Sequence, residues 1–421
     1  MASHLTQPAP KAGETAIIEP KPESAMYIDA SRTELSVDWS AAEELRAIRK
    51  VDFFILPLVM MGFFSLQIDR GNISAALTSG MRTDLNITQN TISNGQTILY
   101  LCILLGELPS NLVLQRVGAK FWLPCQMIVW ELVATIQCVI TNQTGFYVCR
   151  AFLGLAESGF IPGGVYYIST LSTRQEFAKR VGLFWIGNYI GKGCSGLIAA
   201  GVLSLGDVRG FATWQWLFFI EGMMTLFIGV LNLFFFPRST EDSRTLIPGL
   251  CILTNRQEYI LTTRLLVDNP SKKDAQKIKI SLQDVAKALS NWRIYLILVF
   301  ALAWTAPVST LETYNAQIVT SLGFSTIKGN ALSSVGYWAQ IPIIFICGWF
   351  ASDRFDIRGV VIFCTAIPFI AFSAAFYYLE TLDNVYIWIK YAIFQMMVAF
   401  TGSSCKDHIP IIVQCANGLE A

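Results

Sequence analysis

Charged side chains are scarce in this chain of 421 residues, since Asp, Glu, Lys and Arg make up 14% of it and only two histidines occur. Soluble globular domains carry roughly 25% charged residues. The formal net charge is +1, so the chain has no surplus of basic residues for the phosphate contacts that nucleic-acid binding needs. With 53% hydrophobic residues, the composition indicates a polytopic membrane protein and excludes a nucleic-acid-binding protein.

Paired cysteines are also lacking, although the chain contains ten cysteines. They stand one at a time, mostly inside apolar stretches, and no Cys-x-x-Cys pair occurs. This pattern predicts neither a metal site nor a disulfide framework, so we expect no cofactor and interpret the cysteines as small buried hydrophobic residues. No nucleophile stands beside a suitable base within the apolar stretches, and an enzyme is therefore not expected.

Residues 1–50 lack an apolar segment and are rich in Pro, Ser and Glu. This composition is not that of a signal peptide, and it is typical of a disordered cytosolic tail. The last part of the tail, residues 43–50, is expected to form a short helix that runs into the first membrane span.

Apolar runs of about 20 residues, the length with which an α-helix crosses a bilayer, dominate the rest of the chain. The candidate spans are 53–78, 94–114, 121–141, 145–170, 181–204, 214–236, 292–315, 328–350, 359–379 and 384–401. We therefore predict an all-α polytopic membrane protein with two halves. Its predicted parts are a six-helix half at 51–236, a cytosolic central loop at 237–291, a partial half of four helices at 292–402 and an atypical tail at 403–421.

The basic residues of the short loops indicate the orientation of the spans, because cytosolic loops carry an excess of Lys and Arg. With a cytosolic N-terminus, the inner loops hold seven basic residues and the outer loops hold three. The inner set is Arg116, Lys120, Arg174, Lys179, Arg180, Arg354 and Arg358, and the outer set is Arg82, Arg209 and Lys328. The count favours a cytosolic N-terminus, and we expect the plasma membrane as the location.

Two of the predicted spans each hold two charged residues: Asp69 and Arg70 lie in the first, and Arg150 and Glu157 lie in the fourth. A charge at a helix centre costs roughly 2.5 to 3.5 kcal/mol, so four unpaired charges would cost about 10 to 14 kcal/mol. They must face one another or water, which predicts a polar cavity inside the protein. Asn72 shares a helix face with Asp69, because residues three apart in a helix are neighbours.

These charges allow two interpretations. In the functional one, Arg70 and Arg150 bind an anionic substrate, while Asp69 and Glu157 carry protons. In the structural one, the four residues form two permanent ion pairs that only hold helices together. The functional interpretation is favoured, because a purely structural pair can be replaced by apolar side chains at little cost.

Other polar residues within the spans leave alternatives open. Lys192 lies between glycines and either contacts substrate or pairs with Glu107. Glu131 is interpreted as a structural or lipid-interface residue, and Glu221 as a structural one. Glu312 is a further candidate for the cavity wall.

Several short motifs resemble those of the major facilitator superfamily, in its anion:cation symporter branch, and most closely the fungal allantoate, nicotinate and pantothenate permeases. The resemblance covers roughly residues 45 to 400. The motifs are Asp69-Arg70-Gly71-Asn72-Ile73, Glu107-Leu108-Pro109-Ser110-Asn111, the run from Arg150 to Gly163, Trp214-Gln215-Trp216-Leu217-Phe218-Phe219-Ile220-Glu221-Gly222, Ser321-Leu322-Gly323-Phe324-Ser325 and Ser352-Asp353-Arg354.

The resemblance implies a proton-coupled transporter that imports a small organic anion by alternating access, as a monomer in the lipid bilayer. It places Arg70 and Arg150 at the substrate and Asp69 and Glu157 at the proton. Asn72 and Lys192 are further candidates for substrate binding from their positions in the spans. The loop motif of the superfamily falls on Arg116 and Gly118 in the first half and on Asp353 and Arg354 in the second. Gln115 stands where that motif has an acidic residue, so a charge latch at the first loop is expected to be weak.

Length is the main departure from the family, because the fold implied by the resemblance has twelve spans and about ten are found here. A truncated chain is the simplest expectation, with a natural short form as the alternative, and a chain without two spans is expected to be unstable or inactive. Two further functional alternatives are a transporter-like nutrient receptor and an inactive fragment of a transporter.

Overall fold

The computed structural model describes residues 16–17, 27–28, 38–240, 242–268, 290, 292–348, 358–382 and 385–401. Two short strands, β1 (Ala16–Ile17) and β2 (Tyr27–Ile28), pair antiparallel. All other elements are helices, which confirms the predicted all-α fold. In the first half they are α1 (Ala41–Lys50), α2 (Leu56–Ala76), α3 (Met81–Asp84), α4 (Gln89–Val117), α5 (Ala119–Ile136), α6 (Gln143–Glu157), α7 (Phe160–Leu171), α8 (Arg174–Leu203) and α9 (Thr213–Phe235). The others are α10 (Asn255–Asp268), α11 (Trp292–Ser321), α12 (Thr326–Ser333), α13 (Val335–Gly348), α14 (Arg358–Glu380) and α15 (Ile387–Ala399).

Helices lie at each of the predicted spans of the first half. A π-helical turn at Val51–Ile55 joins α1 to α2, so the helical segment that contains the first span runs without a break from Ala41 to Ala76. Within the described residues, four helical segments are long and apolar enough by composition to cross a bilayer: Ala41–Ala76, Gln89–Val117, Ala119–Val139 and Thr213–Phe235.

The predicted fourth span is two helices rather than one, because α6 ends at Glu157 and α7 begins at Phe160. Gly159 lies between them with a φ of +79°, a backbone conformation that glycine adopts without a Cβ penalty. The break leaves carbonyl groups without helical partners, and the amide of Gln126 on α5 donates to the Ser158 carbonyl oxygen at 2.6 Å. Glu157 is therefore the last residue of α6, next to a helix break at which the free Ser158 carbonyl has a hydrogen-bond partner.

The predicted eighth span is also divided, into α12 and α13, at Ser334. Gln395 of α15 accepts from the backbone N–H of Gly336 at 2.8 Å, just after the break. Asp353 and Arg354, predicted for the loop motif of this half, lie outside the described residues, as do 269–289 of the predicted central loop and the predicted tail at 403–421. The described part of the central loop contains α10.

Apolar side chains form three buried clusters, two in the first half and one in the second. The largest contains Phe63, Trp130 and Phe184 and fills the space between α2, α5, α7 and α8. The interpretation of the cysteines as buried is wrong for Cys125 and Cys251, which are exposed, and the other four described cysteines are only half-buried. Cys125 lies on the face of α5 that points away from this core, where a membrane protein meets lipid rather than water.

Close approach between α4 and α6 depends on Gly154. A Cβ added there would lie 2.4 Å from the Leu99 carbonyl oxygen, a backbone atom that cannot move without shifting α4. Gly201 on α8 is a matched control, because an added Cβ meets no atom within 4 Å there. We expect Gly154→Ala to lower the free energy of unfolding by about 1 to 3 kcal/mol.

For Gly201→Ala we expect no loss, or a gain of up to about 1 kcal/mol from higher helix propensity. Denaturant unfolding of the purified protein in detergent, followed by tryptophan fluorescence, measures both variants. Equal unfolding midpoints for the two would contradict this account of the α4–α6 contact.

Ion pairs join α1, α8 and α10 at the ends of the first-half helices. Arg264 of α10 pairs with Glu44 of α1 at 2.7 Å and donates to Glu176 of α8, from Nη1 at 3.2 Å. Arg180 pairs with Asp52 at 2.8 Å and with Glu176 at 3.3 Å. The short helix expected at residues 43–50 is α1, which begins two residues earlier, at Ala41. It contacts α10, in the described part of the predicted central loop.

Glu176 lies ahead of the predicted span at 181–204, in the first turn of α8. Partial burial alone would raise its pKa, but the hydrogen bond from Arg264 and the charges of Arg180 and Arg264 outweigh it and leave the pKa below its usual value. A carboxyl with a lowered pKa stabilises the fold at neutral pH, and this contribution is lost as the pH falls through the lowered pKa.

We expect Arg264→Gln to lower the free energy of unfolding by about 1 to 2 kcal/mol at pH 7, because it removes charge-assisted hydrogen bonds to partly buried carboxylates. The difference from the wild type should shrink as the pH falls below about 4, where carboxyl groups become protonated. Arg256→Gln is the control, because the Arg256–Asp38 pair is 45% and 53% exposed and such pairs contribute little. Unfolding measured across this pH range tests the prediction, and a pH-independent loss would argue against it.

Candidate functional site

A cavity lies between the two halves. Its wall is made by α2, α4, α6 and α8 of the first half and by α11, α12 and α13 of the second. The space inside measures about 70 Å³, room for a few water molecules, whereas sites for small molecules measure roughly 300 to 1,000 Å³. In this conformation the halves hold the polar groups closely, so a ligand needs them to move apart.

Arg70 and Glu157 form an ion pair in the cavity wall and connect α2 to α6. Glu157 Oε2 accepts from Arg70 Nη2 at 2.7 Å and from Nε at 2.8 Å. The Glu157 side chain is fully buried, while a quarter of the Arg70 side chain is exposed. Glu157 Oε1 has no hydrogen-bond partner among the described residues. The carboxylate is therefore half-satisfied and faces one arginine.

Arg150 is the second cation of the wall and lies on α6 two helical turns before Glu157, on nearly the same face. It is 2% exposed, and its guanidinium carbon lies 5.2 Å from the centre of the Phe146 ring. Its Nε and Nη2 atoms are buried and without hydrogen-bond partners in the described part of the chain. Glu157 is the acidic group that acts on it most strongly. Such unsatisfied charged donors are costly unless a ligand accepts from them.

Lys192 and Glu312 form an ion pair across the two halves, with Nζ and Oε1 2.5 Å apart. The Lys192 ammonium also lies 5.9 Å from the centre of the Tyr337 ring. Both charged residues line the cavity. The alternative that pairs Lys192 with Glu107 is therefore wrong, and Glu312 does lie in the cavity wall.

Two predicted site residues, Asp69 and Asn72, do not line the cavity. Both are buried, at 3% and 1% exposure, and their side-chain polar atoms have no hydrogen-bond partner within the described ranges. Asp69 lies one helical turn after Ser65, whose hydroxyl donates to Glu131 of α5. The expectation that the charged residues of the first and fourth spans all meet around one pocket is thus corrected for Asp69, because a step of one residue turns a helical side chain by about 100°.

Glu131 and Glu221 are fully buried, so the lipid-interface alternative for Glu131 is wrong. Glu131 Oε1 accepts from the Trp130 indole nitrogen at 2.8 Å and from the Ser65 hydroxyl. Both oxygens of Glu221 are without a partner among the residues that the structure describes.

Uncharged polar residues of the cavity wall were missed by the sequence reasoning. Gln67 precedes Arg70 by three positions on α2, and Gln96 precedes Tyr100 by four on α4; all of them line the cavity. These spacings are the signal that was available, because residues three or four apart share a helix face. Tyr337 completes the wall from the second half.

The charges of the wall do not cancel. Three basic residues (Arg70, Arg150 and Lys192) and two acidic ones (Glu157 and Glu312) line it, which leaves a formal charge of +1. Because the site is largely desolvated, this surplus attracts an anion more strongly than it would in water.

The first loop motif lies away from the cavity, between α4 and α5. Gly118 has a φ of +89° and donates its N–H to the Leu114 carbonyl at 2.8 Å, so the turn requires glycine. Arg116 is exposed. Nearby Lys120 donates to the Arg244 carbonyl at 2.7 Å and so attaches this turn to the segment after α9.

The model of the Major Facilitator Superfamily matches residues 59–414. The chain belongs to the major facilitator superfamily. This match covers both predicted halves and agrees with the helical architecture around a central cavity. The chain is therefore a multi-pass membrane protein.

Named relatives and solved structures agree with this membership. The chain is 30% identical over 307 residues to the major facilitator-type transporter hxnP of Emericella nidulans, covering 72% of this chain and 59% of that protein. It is 30% identical over 303 residues to a putative tartrate transporter of Agrobacterium vitis, covering 72% of this chain and 63% of that protein. The chain thus spans about three fifths of the length of these relatives.

The fold is similar to that of XylE from E. coli, a proton:xylose symporter. The TM-score is 0.61 at 15% identity, covering 85% of this chain and 83% of XylE. The superfamily consists of transporters, so the relatives support the prediction that the chain is not an enzyme.

Proposed function

We propose that this chain acts in a proton-coupled transporter that imports a small organic anion through the cavity between its halves. The observation that carries the proposal is the buried guanidinium of Arg150, which has unpaired donors in a cavity wall of net charge +1. Guanidinium groups bind carboxylates with two parallel hydrogen bonds. A carboxylate is therefore the substrate group that fits this wall best.

In the proposed cycle, the substrate carboxylate binds Arg150 and competes with Glu157 for Arg70. Protonation of Glu157 removes its charge, so that Arg70 is free to bind the substrate. Lys192 provides a further cation when it leaves Glu312, which requires the two halves to separate. One proton then accompanies one anion, and the pair crosses the membrane as the halves rock about the cavity.

Two relatives support parts of this proposal. The tartrate named for the Agrobacterium vitis relative is a dicarboxylate, and XylE is described as a proton symporter. Asp69 remains a proton candidate by the resemblance, although it is separated from the cavity wall. The proposed location is the plasma membrane with a cytosolic N-terminus, and the proposed state is a monomer.

Proteoliposomes that contain the purified protein test the function. Labelled tartrate and a panel of monocarboxylates are offered at an external pH of 5.5 or 7.5, with an internal pH of 7.5. Uptake of an organic acid should rise at the lower external pH and collapse on addition of a protonophore. The matched panel of uncharged sugars should not accumulate. Accumulation of sugars without acids, or uptake indifferent to the pH gradient, would overturn the proposal.

A further inference from the structure

A group of buried carboxyls lies behind the cavity wall and is not used by the proposed cycle. The Ser65 hydroxyl of α2 donates to Glu131 of α5, and Asp69 lies one helical turn after Ser65 on the same face of α2. Glu221 of α9 is a third buried acid whose charge acts on Asp69. All three acids are at most 3% exposed. Negative charges buried this closely repel one another strongly in a medium of low dielectric constant, so they need a bound cation.

The hydrogen bonds of Glu131 and Asp69 differ sharply. Glu131 Oε1 receives hydrogen bonds from Trp130 and Ser65, which stabilise a carboxylate, whereas its Oε2 has no partner among the described residues. Neither carboxyl oxygen of Asp69 has a hydrogen-bond partner among the described residues. Asp69 lies one helical turn after Ser65, which itself donates to Glu131, so the two acids are on the same side of the α2–α5 contact. A proton on Asp69 gives it a donor and supplies the partner that Glu131 Oε2 lacks.

A metal ion fits the group less well than a proton. Across the residues that the structure describes, no three acidic, histidine or cysteine side chains converge tightly enough to hold a metal ion. The charged groups that act on Asp69 from neighbouring helices are Glu131 (α5), Glu157 (α6) and Glu221 (α9), and Arg150 of α6 also feels its charge. Two carboxyls that share one buried site cannot both be ionised at little cost, so one of them holds a proton.

We propose that Asp69 and Glu131 share one proton, with Glu131 as the positioning residue that keeps this proton on Asp69. The site binds a proton alone, behind the cavity and separate from the substrate. The proposal concerns the same transporter but rests only on the contacts of α2 with α5, so it can hold even where the proposed substrate class is wrong.

A measurement without substrate tests it. In the purified full chain in detergent, unfolding is followed between pH 6 and pH 8, where ordinary carboxyls of the unfolded chain are ionised. A folded state that holds one extra proton loses stability as the pH rises, because the unfolding equilibrium constant increases about tenfold per pH unit for each proton held.

The slope of the free energy of unfolding against pH gives the number of protons that are released on unfolding. Asp69→Asn and Glu131→Gln should each lower this number by one, and the double variant should also lower it by only one. In Glu131→Gln the amide donates to Asp69 and the competing charge is gone, so Asp69 ionises. Glu107→Gln is the matched control, because Glu107 is a half-buried acid outside the cavity wall and should leave the slope unchanged.

Three results would overturn the proposal. If the double variant releases two fewer protons on unfolding than the wild type, the two acids are protonated independently. An unchanged slope in Glu131→Gln means that burial alone holds the proton on Asp69. Stabilisation by Na⁺ relative to choline, lost in both single variants, indicates a metal ion in place of the proton.

Discussion

Arg150→Gln should reduce organic-acid uptake by about 100-fold or more. Hydrogen bonds to charged groups are worth about 1.5 to 3 kcal/mol each, and Arg150 offers two buried donors without partners, so losing both costs the substrate at least about 3 kcal/mol. Each 1.4 kcal/mol corresponds to about a tenfold change in affinity. Arg150→Lys should lose less, because it keeps the positive charge but not the planar pair of donors.

The fold is expected to tolerate Arg150→Gln. Removing a buried cation that lacks a hydrogen-bonded partner leaves no new uncompensated charge, so the free energy of unfolding should be unchanged or higher. Arg174→Gln is the control, since Arg174 is exposed outside the cavity wall, and it should take up substrate like the wild type. Uptake and denaturant unfolding are measured on the same preparations. Wild-type uptake by Arg150→Gln would remove the basis of the proposed substrate site.

Glu157→Gln should abolish accumulation driven by a pH gradient while substrate exchange across the membrane continues. The amide resembles the protonated acid, so Arg70 is released from its ion pair at every pH. For one proton and one monovalent anion, a gradient of one pH unit supports about tenfold accumulation in the wild type, since one unit is worth 1.36 kcal/mol. The variant should reach a ratio of about one under the same gradient.

Glu107→Gln provides the comparison for this variant, because it makes the same chemical change in a membrane-spanning helix but away from the cavity wall. It should accumulate substrate to the wild-type ratio. Counterflow of labelled against unlabelled substrate separates binding from coupling. If Glu157→Gln still concentrates substrate in response to the gradient, the proton site lies elsewhere, and Asp69 becomes the first residue to test.

The sequence was sufficient to locate the cavity but not to decide which residues line it. Arg70, Arg150 and Glu157 were selected by the cost of burying charge, and all three line the cavity. Asp69 was selected by the same argument, yet it lies behind the wall against Glu131. Its neighbours in the chain do not reveal this, because Gln67, Asp69 and Arg70 are all polar and cover most of one side of α2.

The positions of the helices were predictable from the sequence, but the breaks within them were not. The apolar runs predicted where helices lie, whereas the breaks after Glu157 and at Ser334 were not predicted. At the first break, the decisive feature is a glutamine on another helix, Gln126, which donates to the Ser158 carbonyl that the break leaves free. The glycine at 159 was visible in the sequence, but a glycine in an apolar run can also serve close helix packing, as Gly154 does.

The sequence by itself determined that this protein is helical, crosses a membrane several times and holds charged residues at a polar interior. These properties follow from composition, the length of apolar runs and the cost of burying a charge, all of which depend on residues close together in the chain. The tertiary structure decided which charges meet. Lys192 pairs with Glu312, 120 residues away, and Asp69 lies on the side of α2 that meets Glu131, because partner choice depends on how distant helices are rotated and packed against each other.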